Sequence, residues 1–395
     1  MSKNWMALDQ QYLLPVYGRM PVVVEKAQGM YITDVEGKTY LDLFSGLAVN
    51  ILGHCHDALK EELALQSSRF SHISNFFYNQ PAIELAEKLI HSTFPGKIFF
   101  ANSGAESTEA AVKYIHKYGK DKGLNGVVVF KNSFHGRTLG ALKLTRMASV
   151  QQDFPVVDFP VYELEDENLK QLETIITEDR PAALLFEPIS GSGGIKVISK
   201  DFMEKAAEIC KANGVLYCVD EIQTGVGRTG ELFAYQHTTV EPDILLFAKG
   251  IGGGLPLGGM IVRESISHYF KQGDHGTTFA PNPISASLGR RTLEVLEAGL
   301  LKEVAVKEAY LLNRLKDIKD QFPKMLGEVR GKGMMIGIEI LKNHTLLRDQ
   351  FMEKGILVNV TNGNILRLLP SLIIEEKHID EFFNVFIEIL TEWNT

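Results

Sequence analysis

Between residues 80 and 265 short, continuous apolar runs alternate with amphipathic stretches. Ile98-Phe99-Phe100, Val127 to Phe130, Ala182 to Phe186, Val215 to Val219 and Ile244 to Ala248 are such runs. None alternates with polar residues, as expected of strands covered on both faces. Helical candidates lie between them, for example Glu204 to Ala212, closed by Gly214. This alternation predicts an α/β architecture around a mostly parallel sheet.

The two ends read differently. Val22 to Glu25, Met30 to Thr33 and Thr39 to Leu41, with Gly29 and a turn near Glu36-Gly37, suggest a small antiparallel unit. From residue 300 a helix is followed by alternating segments, Gly337 to Ile340 and Leu357 to Val360, and a last helix near Ile379 to Leu390. The expected organisation is a small α+β domain built from residues 1–50 and 300–395, packed on a large domain of residues 51–299.

Composition narrows the function. The chain has 395 residues, 45% hydrophobic, enough for a large core. Its formal net charge is -8, with no basic tract, so nucleic acid is not an expected partner. Cys55, Cys210 and Cys218 are the only cysteines, too few and odd in number for a disulfide framework. The start, Met1-Ser2-Lys3-Asn4-Trp5, lacks a secretory apolar core. No apolar run approaches the roughly 20 residues that span a bilayer. A cytoplasmic location without membrane attachment is expected.

Three points on the chain carry chemistry. Asn102-Ser103-Gly104-Ala105-Glu106 follows an apolar run and opens a helix, with Ser103 and Glu106 at capping-box spacing. A small-residue turn at a helix N-terminus presents free N–H groups to a phosphate, although an ordinary cap has the same pattern. Asp220 ends one apolar run, and Lys249 ends another before Gly250-Ile251-Gly252-Gly253-Gly254. Ligands gather at the carboxyl ends of parallel strands, and a lysine there is costly unless paired or used. An anion seat, a carboxylate and an amine together match the needs of pyridoxal phosphate: a phosphate cradle, an acid for the pyridine nitrogen and a lysine for the aldehyde.

On these residues the chain resembles the class III aminotransferases, and within them the acetylornithine and ornithine aminotransferases. The resemblance runs from about Tyr17 to Ile374. It includes Ser133-Phe134-His135-Gly136-Arg137-Thr138, the stretch Asp220 to Gly230, Ala248-Lys249-Gly250, Val329 to Gly333 and Leu366 to Pro370. It implies a type I pyridoxal-phosphate fold with shared active sites in a homodimer. Lys249 would hold the cofactor covalently, Asp220 would pair with its ring nitrogen and Gln223 with its ring hydroxyl. Ser103, Gly104 and Ala105 would hold its phosphate, and Phe134 would stack on the ring. Thr278 would reach the phosphate in the partner subunit. Tyr17 and Arg137 would bind the far end of the substrate, and Arg367 the α-carboxylate of glutamate or 2-oxoglutarate.

The implied reaction moves the side-chain amine of N-acetylornithine to 2-oxoglutarate, a step of arginine synthesis. Ornithine, succinylornithine, acetyl-diaminopimelate or 4-aminobutyrate are the alternative donors, and an aminomutase belongs to the same family. One departure bears on the donor. The family usually has Glu between two glycines after Glu187-Pro188; this chain reads Gly191-Ser192-Gly193. That Glu is thought to mask the arginine matching Arg367 when a diamine-type substrate binds. Ser192 offers no charge, and Glu187 is the other candidate for the masking role.

Rival signals are weaker. Gly225 to Gly230 fits G-x-G-x-x-G and a nicotinamide-dependent oxidoreductase. However, five residues separate it from the apolar run, where a dinucleotide fold needs the first glycine at once. His54-Cys55-His56 suggests a metal only superficially, since adjacent side chains diverge and no second zinc-like cluster occurs. No metal is expected.

Overall fold

Seven strands form the central sheet, in the order Gly96–Ala101, Gly258–Arg263, Ile244–Phe247, Leu216–Asp220, Ala183–Phe186, Val127–Phe130, Val161–Leu164. This computed structural model describes residues 4–155 and 157–394. Met1 to Lys3, part of the N-terminal segment read above, lie outside the described residues. Every expected apolar run lies in this sheet. Ala183 to Phe186 are fully buried along their whole length, as strands covered by helices on both faces must be. Truncating one such side chain, Leu245→Ala for instance, removes a wholly buried isobutyl group at a cost of about 2–5 kcal/mol.

Two strands escape the apolar pattern. Val161–Leu164 is an edge strand with Glu163 in its middle, paired on one side only. Gly258–Arg263 begins with two glycines, which weaken any strand signal. It is antiparallel to both neighbours. Gly259 is needed there, because a Cβ would lie 2.5 Å from the Phe99 carbonyl oxygen and 2.6 Å from the Phe247 ring.

The remaining strands of the sheet are mutually parallel. Their carboxyl ends therefore share one rim, from which the segments after Ala101, Phe130, Phe186, Asp220 and Phe247 all leave. The covering helices are capped as their sequences specify. Helix Gly104–Lys122 has Ser103 as N-cap and Gly123 in the left-handed region; helix Lys200–Asn213 has Ser199 and Gly214 in the same roles.

The chain ends form two smaller sheets. Val24–Gln28, Tyr31–Asp34 and Thr39–Asp42 make an antiparallel meander. Ile356–Leu357, from the other end of the chain, adds to it in parallel beside Thr39–Asp42. The second sheet runs Leu326–Lys332, Met335–Ile340, Ile365–Leu368, Asn359–Thr361. Helix Glu376–Asn394 closes the chain, with Phe382, Phe383 and Phe386 buried. No described helix is long and apolar enough to cross a membrane.

Candidate active site

A cavity of about 500 Å³ opens on the rim of the parallel sheet. Ser103, Gly104, Ala105, Phe134, Arg137, Asp220, Gln223 and Lys249, each singled out from the sequence, line it together. Glu187, His135 and Ser192 line it as well.

The turn at Ser103 is a helix start. Ser103 Oγ accepts from the Glu106 backbone N–H at 3.2 Å. The reciprocal half of the expected capping box is displaced by one residue. Glu106 Oε2 accepts from the backbone N–H of Asn102 at 2.7 Å, and from the Asn102 amide at 2.9 Å, rather than from Ser103. Gly104 and Ala105, the first two residues of this helix, line the cavity, where first-turn N–H groups and the helix dipole favour an anion. Two glycines make the approach possible. A Cβ on Gly104 would lie 3.0 Å from Ile222, and one on Gly136 would lie 2.8 Å from Ala141 and 3.1 Å from Ala105.

Asp220 is the last residue of Leu216–Asp220 and is almost wholly buried. Its Oδ1 accepts from the Ile222 N–H at 3.1 Å, and its Oδ2 meets His135 Nδ1 at 2.7 Å. His135 is itself buried and held at its backbone by Thr145 and Thr108. Burial pulls its pKa down, but the hydrogen bond to Asp220 and the charges of Asp220 and Glu187 outweigh this, and the net shift is upward. These contacts favour the protonated imidazole more than free solution does, while its Nε2 is buried without a partner.

Lys249 follows Ile244–Phe247 and adopts φ 50°, a left-handed conformation uncommon outside glycine and frequent at functional sites. No hydrogen-bond or ion-pair partner of its amine occurs among the described residues. Burial lowers its pKa to about 8, against the pull of the nearby Glu187 and Asp220 carboxylates. Arg367 and Arg228 add to the lowering. Glu187 accepts from the N–H groups of Phe134 and Gly191, both at 3.1 Å, yet burial still raises its pKa.

The other expected residues are placed unequally. The Arg137 guanidinium is exposed at the mouth, 5.9 Å from the Phe134 ring centre. Gln223 lines the cavity, with its buried Oε1 lacking a partner. Arg367 does not line the cavity and is buried beside Gly191. It donates to Asn359 Oδ1 from Nε at 3.1 Å and from Nη2 at 2.7 Å, and to the Gly191 carbonyl at 3.2 Å. All of these acceptors are neutral. Thr278 and Tyr17 are exposed and not part of the cavity in one chain. Thr277, beside Thr278, accepts from the Asn102 amide at 3.0 Å.

Sequence reasoning gave no role to His135, Asn359 or Arg228. Their signals are contacts across the fold, and only the motifs around His135 and Arg228 hinted at importance. Gly225 to Gly230 forms successive turns followed only by the short 3-10 turn Ala234–His237, not by the α-helix of a dinucleotide fingerprint. His54 is engaged by Asp42 at 2.8 Å.

The donor set suits pyridoxal phosphate. Free helix N–H groups match the phosphate, anionic Asp220 the ring nitrogen, Phe134 a ring face, and the partnerless Gln223 Oε1 a ring hydroxyl. The unpaired Lys249 amine matches the aldehyde.

Comparison with known proteins agrees. The family model for class-III aminotransferases matches residues 13–390. Acetylornithine aminotransferase of Methanocaldococcus jannaschii is 39% identical over 99% of both chains. The Aquifex aeolicus enzyme of that name is 41% identical, over 96% of this chain and 100% of its own. Among solved structures, ornithine aminotransferase from Toxoplasma gondii, with pyridoxal phosphate partially occupying its active site, superposes with a TM-score of 0.92. It is 27% identical, over 98% of this chain and 93% of its own. This chain belongs to the class-III aminotransferases, and pyridoxal phosphate is the cofactor of its reaction.

Proposed function

We propose that the enzyme transfers the side-chain amine of N-acetylornithine to 2-oxoglutarate, yielding N-acetylglutamate semialdehyde and glutamate in arginine synthesis. The observation that carries this reading is one partnerless amine with an exposed arginine on one side and a buried arginine on the other. The cavity would hold pyridoxal phosphate, whose chemistry there would be that of an electron sink. Lys249, whose pKa burial lowers to about 8, would hold the cofactor's aldehyde and, as a free amine, would be the group placed to move the substrate's proton. Asp220 keeps a negative charge facing the ring nitrogen, and His135 holds the carboxylate in place. Ser103, Gly104 and Ala105 seat the phosphate, Phe134 covers the ring, and Gln223 meets its hydroxyl. Arg137 and Tyr17 take the end of the donor remote from the reacting amine. Arg367 takes the α-carboxylate of glutamate.

A homodimer belongs to the same proposal. Tyr12, Leu14, Tyr17, Phe76 and Tyr78 are between 72% and 95% exposed, and such apolar exposure favours a subunit contact. Thr278 projects from a loop tied to Asn102, suited to reach a neighbour's phosphate. The division into residues 51–299 and a domain from both ends is likewise proposed, supported by the pairing of Ile356–Leu357 with Thr39–Asp42. A cytoplasmic location completes the reading.

A donor panel with 2-oxoglutarate as common acceptor tests it. N-Acetylornithine should give the highest kcat/KM. A higher value for ornithine, succinylornithine, acetyl-diaminopimelate or 4-aminobutyrate would reassign the donor. Turnover without 2-oxoglutarate would indicate an aminomutase.

A further inference from the structure

Arg228 is the largest fully buried side chain among the described residues. No carboxylate pairs with it among the described residues. Its Nη1 donates to the carbonyl of Met334 at 3.0 Å and to that of Pro370, while Nε and Nη2 are buried without acceptors. A guanidinium desolvated on these terms is expensive, and burial lowers its pKa to about 9. An apolar side chain would fill the space at lower cost, so packing alone does not account for an arginine here.

The two carbonyls explain where it acts. Met334 immediately precedes strand Met335–Ile340, and Pro370 closely follows strand Ile365–Leu368. These strands pair antiparallel, with Ile336 opposite Leu368 and Gly337 opposite Arg367. The guanidinium therefore grips both strands at one end of the ladder that carries Arg367. The backbone reinforces the grip: the Arg228 carbonyl accepts from the Met334 N–H at 2.9 Å. Gly333 is indispensable to this contact, since a Cβ there would lie 2.5 Å from the same carbonyl oxygen.

The other side of Arg228 is the loop that starts at Asp220. Val226 in that loop, two residues before Arg228, lies 3.4 Å from where a Cβ on Gly250 would stand, in contact distance of the residue directly after Lys249, where Ile51 packs closer still. The loop thus joins the segment around the reacting amine, through Val226, to the strands holding the buried arginine, through Arg228. We propose that Arg228 is a positioning residue for the α-amino-acid half-reaction, setting where Arg367 stands relative to Lys249. This rests on the reading that Arg367 receives the α-carboxylate of glutamate and 2-oxoglutarate.

The test compares Arg228→Met, Arg228→Gln and Arg228→Lys in the holoenzyme. Glutarate, an unreactive five-carbon dicarboxylate, is titrated by calorimetry, and the two half-reactions are followed in single turnovers. Misplacing a binding group by about 1 Å can cost about a hundredfold. Arg228→Met should weaken glutarate binding and slow the glutamate half-reaction by about tenfold to a hundredfold, while the N-acetylornithine half-reaction falls less than about threefold. Arg228→Lys, which keeps a donor and the charge, should recover part of the loss. Equal losses in both half-reactions, or unchanged glutarate affinity, would overturn the proposal. So would failure of all three variants to fold, since Arg228 would then serve stability alone. Wild-type protein that neither binds glutarate nor reacts with glutamate would instead overturn the reading of Arg367.

Discussion

The cofactor side and the substrate side of the cavity are built from different material. Asp220 and Lys249 stand at or just beyond the ends of adjacent parallel strands, in register through the pairing of Asp220 with Leu246. Ser103 caps a helix that leaves the same rim. Their positions are fixed by the sheet, which is buried on both faces and cannot shift without opening the core. The substrate side is held by loops and by the chain ends. Arg137 is exposed, Ser192 lies in a glycine-rich loop, and Arg367 hangs on the neutral Asn359 and Gly191. The contrast teaches that the residues proposed to hold the cofactor stand on the rigid part, while those proposed to choose the substrate can change without disturbing it.

Removing the anchor should have the largest effect. Lys249→Ala should abolish covalent attachment of the cofactor and transamination while leaving the fold intact. Borohydride reduction and peptide mapping of the wild type should label Lys249; label on another lysine would break the comparison at its first point.

Ser192→Glu probes the substrate side. A carboxylate here could pair with Arg367, which at present touches only neutral acceptors. The glutamate half-reaction should slow relative to the N-acetylornithine one by roughly ten- to a hundredfold, if the new charged hydrogen bond is worth ~1.5–3 kcal/mol. An unchanged ratio in single turnovers means that position 192 does not govern donor choice. By the same reasoning α-amino acids should compete with N-acetylornithine in the wild type.

Thr278→Val tests whether the cofactor side is completed by a neighbour. Loss of one hydrogen bond to a charged group, roughly 1.5–3 kcal/mol, should weaken cofactor retention about tenfold or more. A fully active monomer at assay concentration would refute the shared site.

The smallest effect concerns pH. Burial lowers the Lys249 pKa to about 8, so its amine loses its proton as pH rises through that value. Covalent recapture of pyridoxal phosphate by the apoprotein should therefore accelerate with pH and level off above a midpoint near 8. Between pH 8 and the plateau the gain should be only about twofold, since half the amine is already free at its pKa. A midpoint near that of an ordinary lysine would show that the anchor is not buried as described.

Much of the cofactor side is legible in the sequence. Continuous apolar runs mark doubly covered strands, and a polar residue closing such a run must stand near a strand end. That logic reaches Asp220 and Lys249 without any knowledge of strand order. The helix start at Ser103 is equally local, although Glu106 turned to Asn102 rather than to the cap itself. The strand Gly258–Arg263 is not legible, because its leading glycines serve close packing against Phe99 and Phe247 rather than strand propensity.

Contacts that depend on strand order lie beyond such reading. His135 meets Asp220 across 85 positions, and Arg228 reaches Pro370 across 142. Nothing in either local pattern encodes these meetings. The sequence by itself determined the α/β class, the strand-end acid and amine, the capped helix beside them and the missing carboxylate at position 192, because each depends on periodicity or on identity at one position. Only the tertiary structure decided that His135 backs Asp220, that neutral groups hold Arg367 and that Arg228 bridges the two sides. Each of these is a distance between remote segments, set by how the sheets assemble and by which buried charges the assembly leaves unpaired.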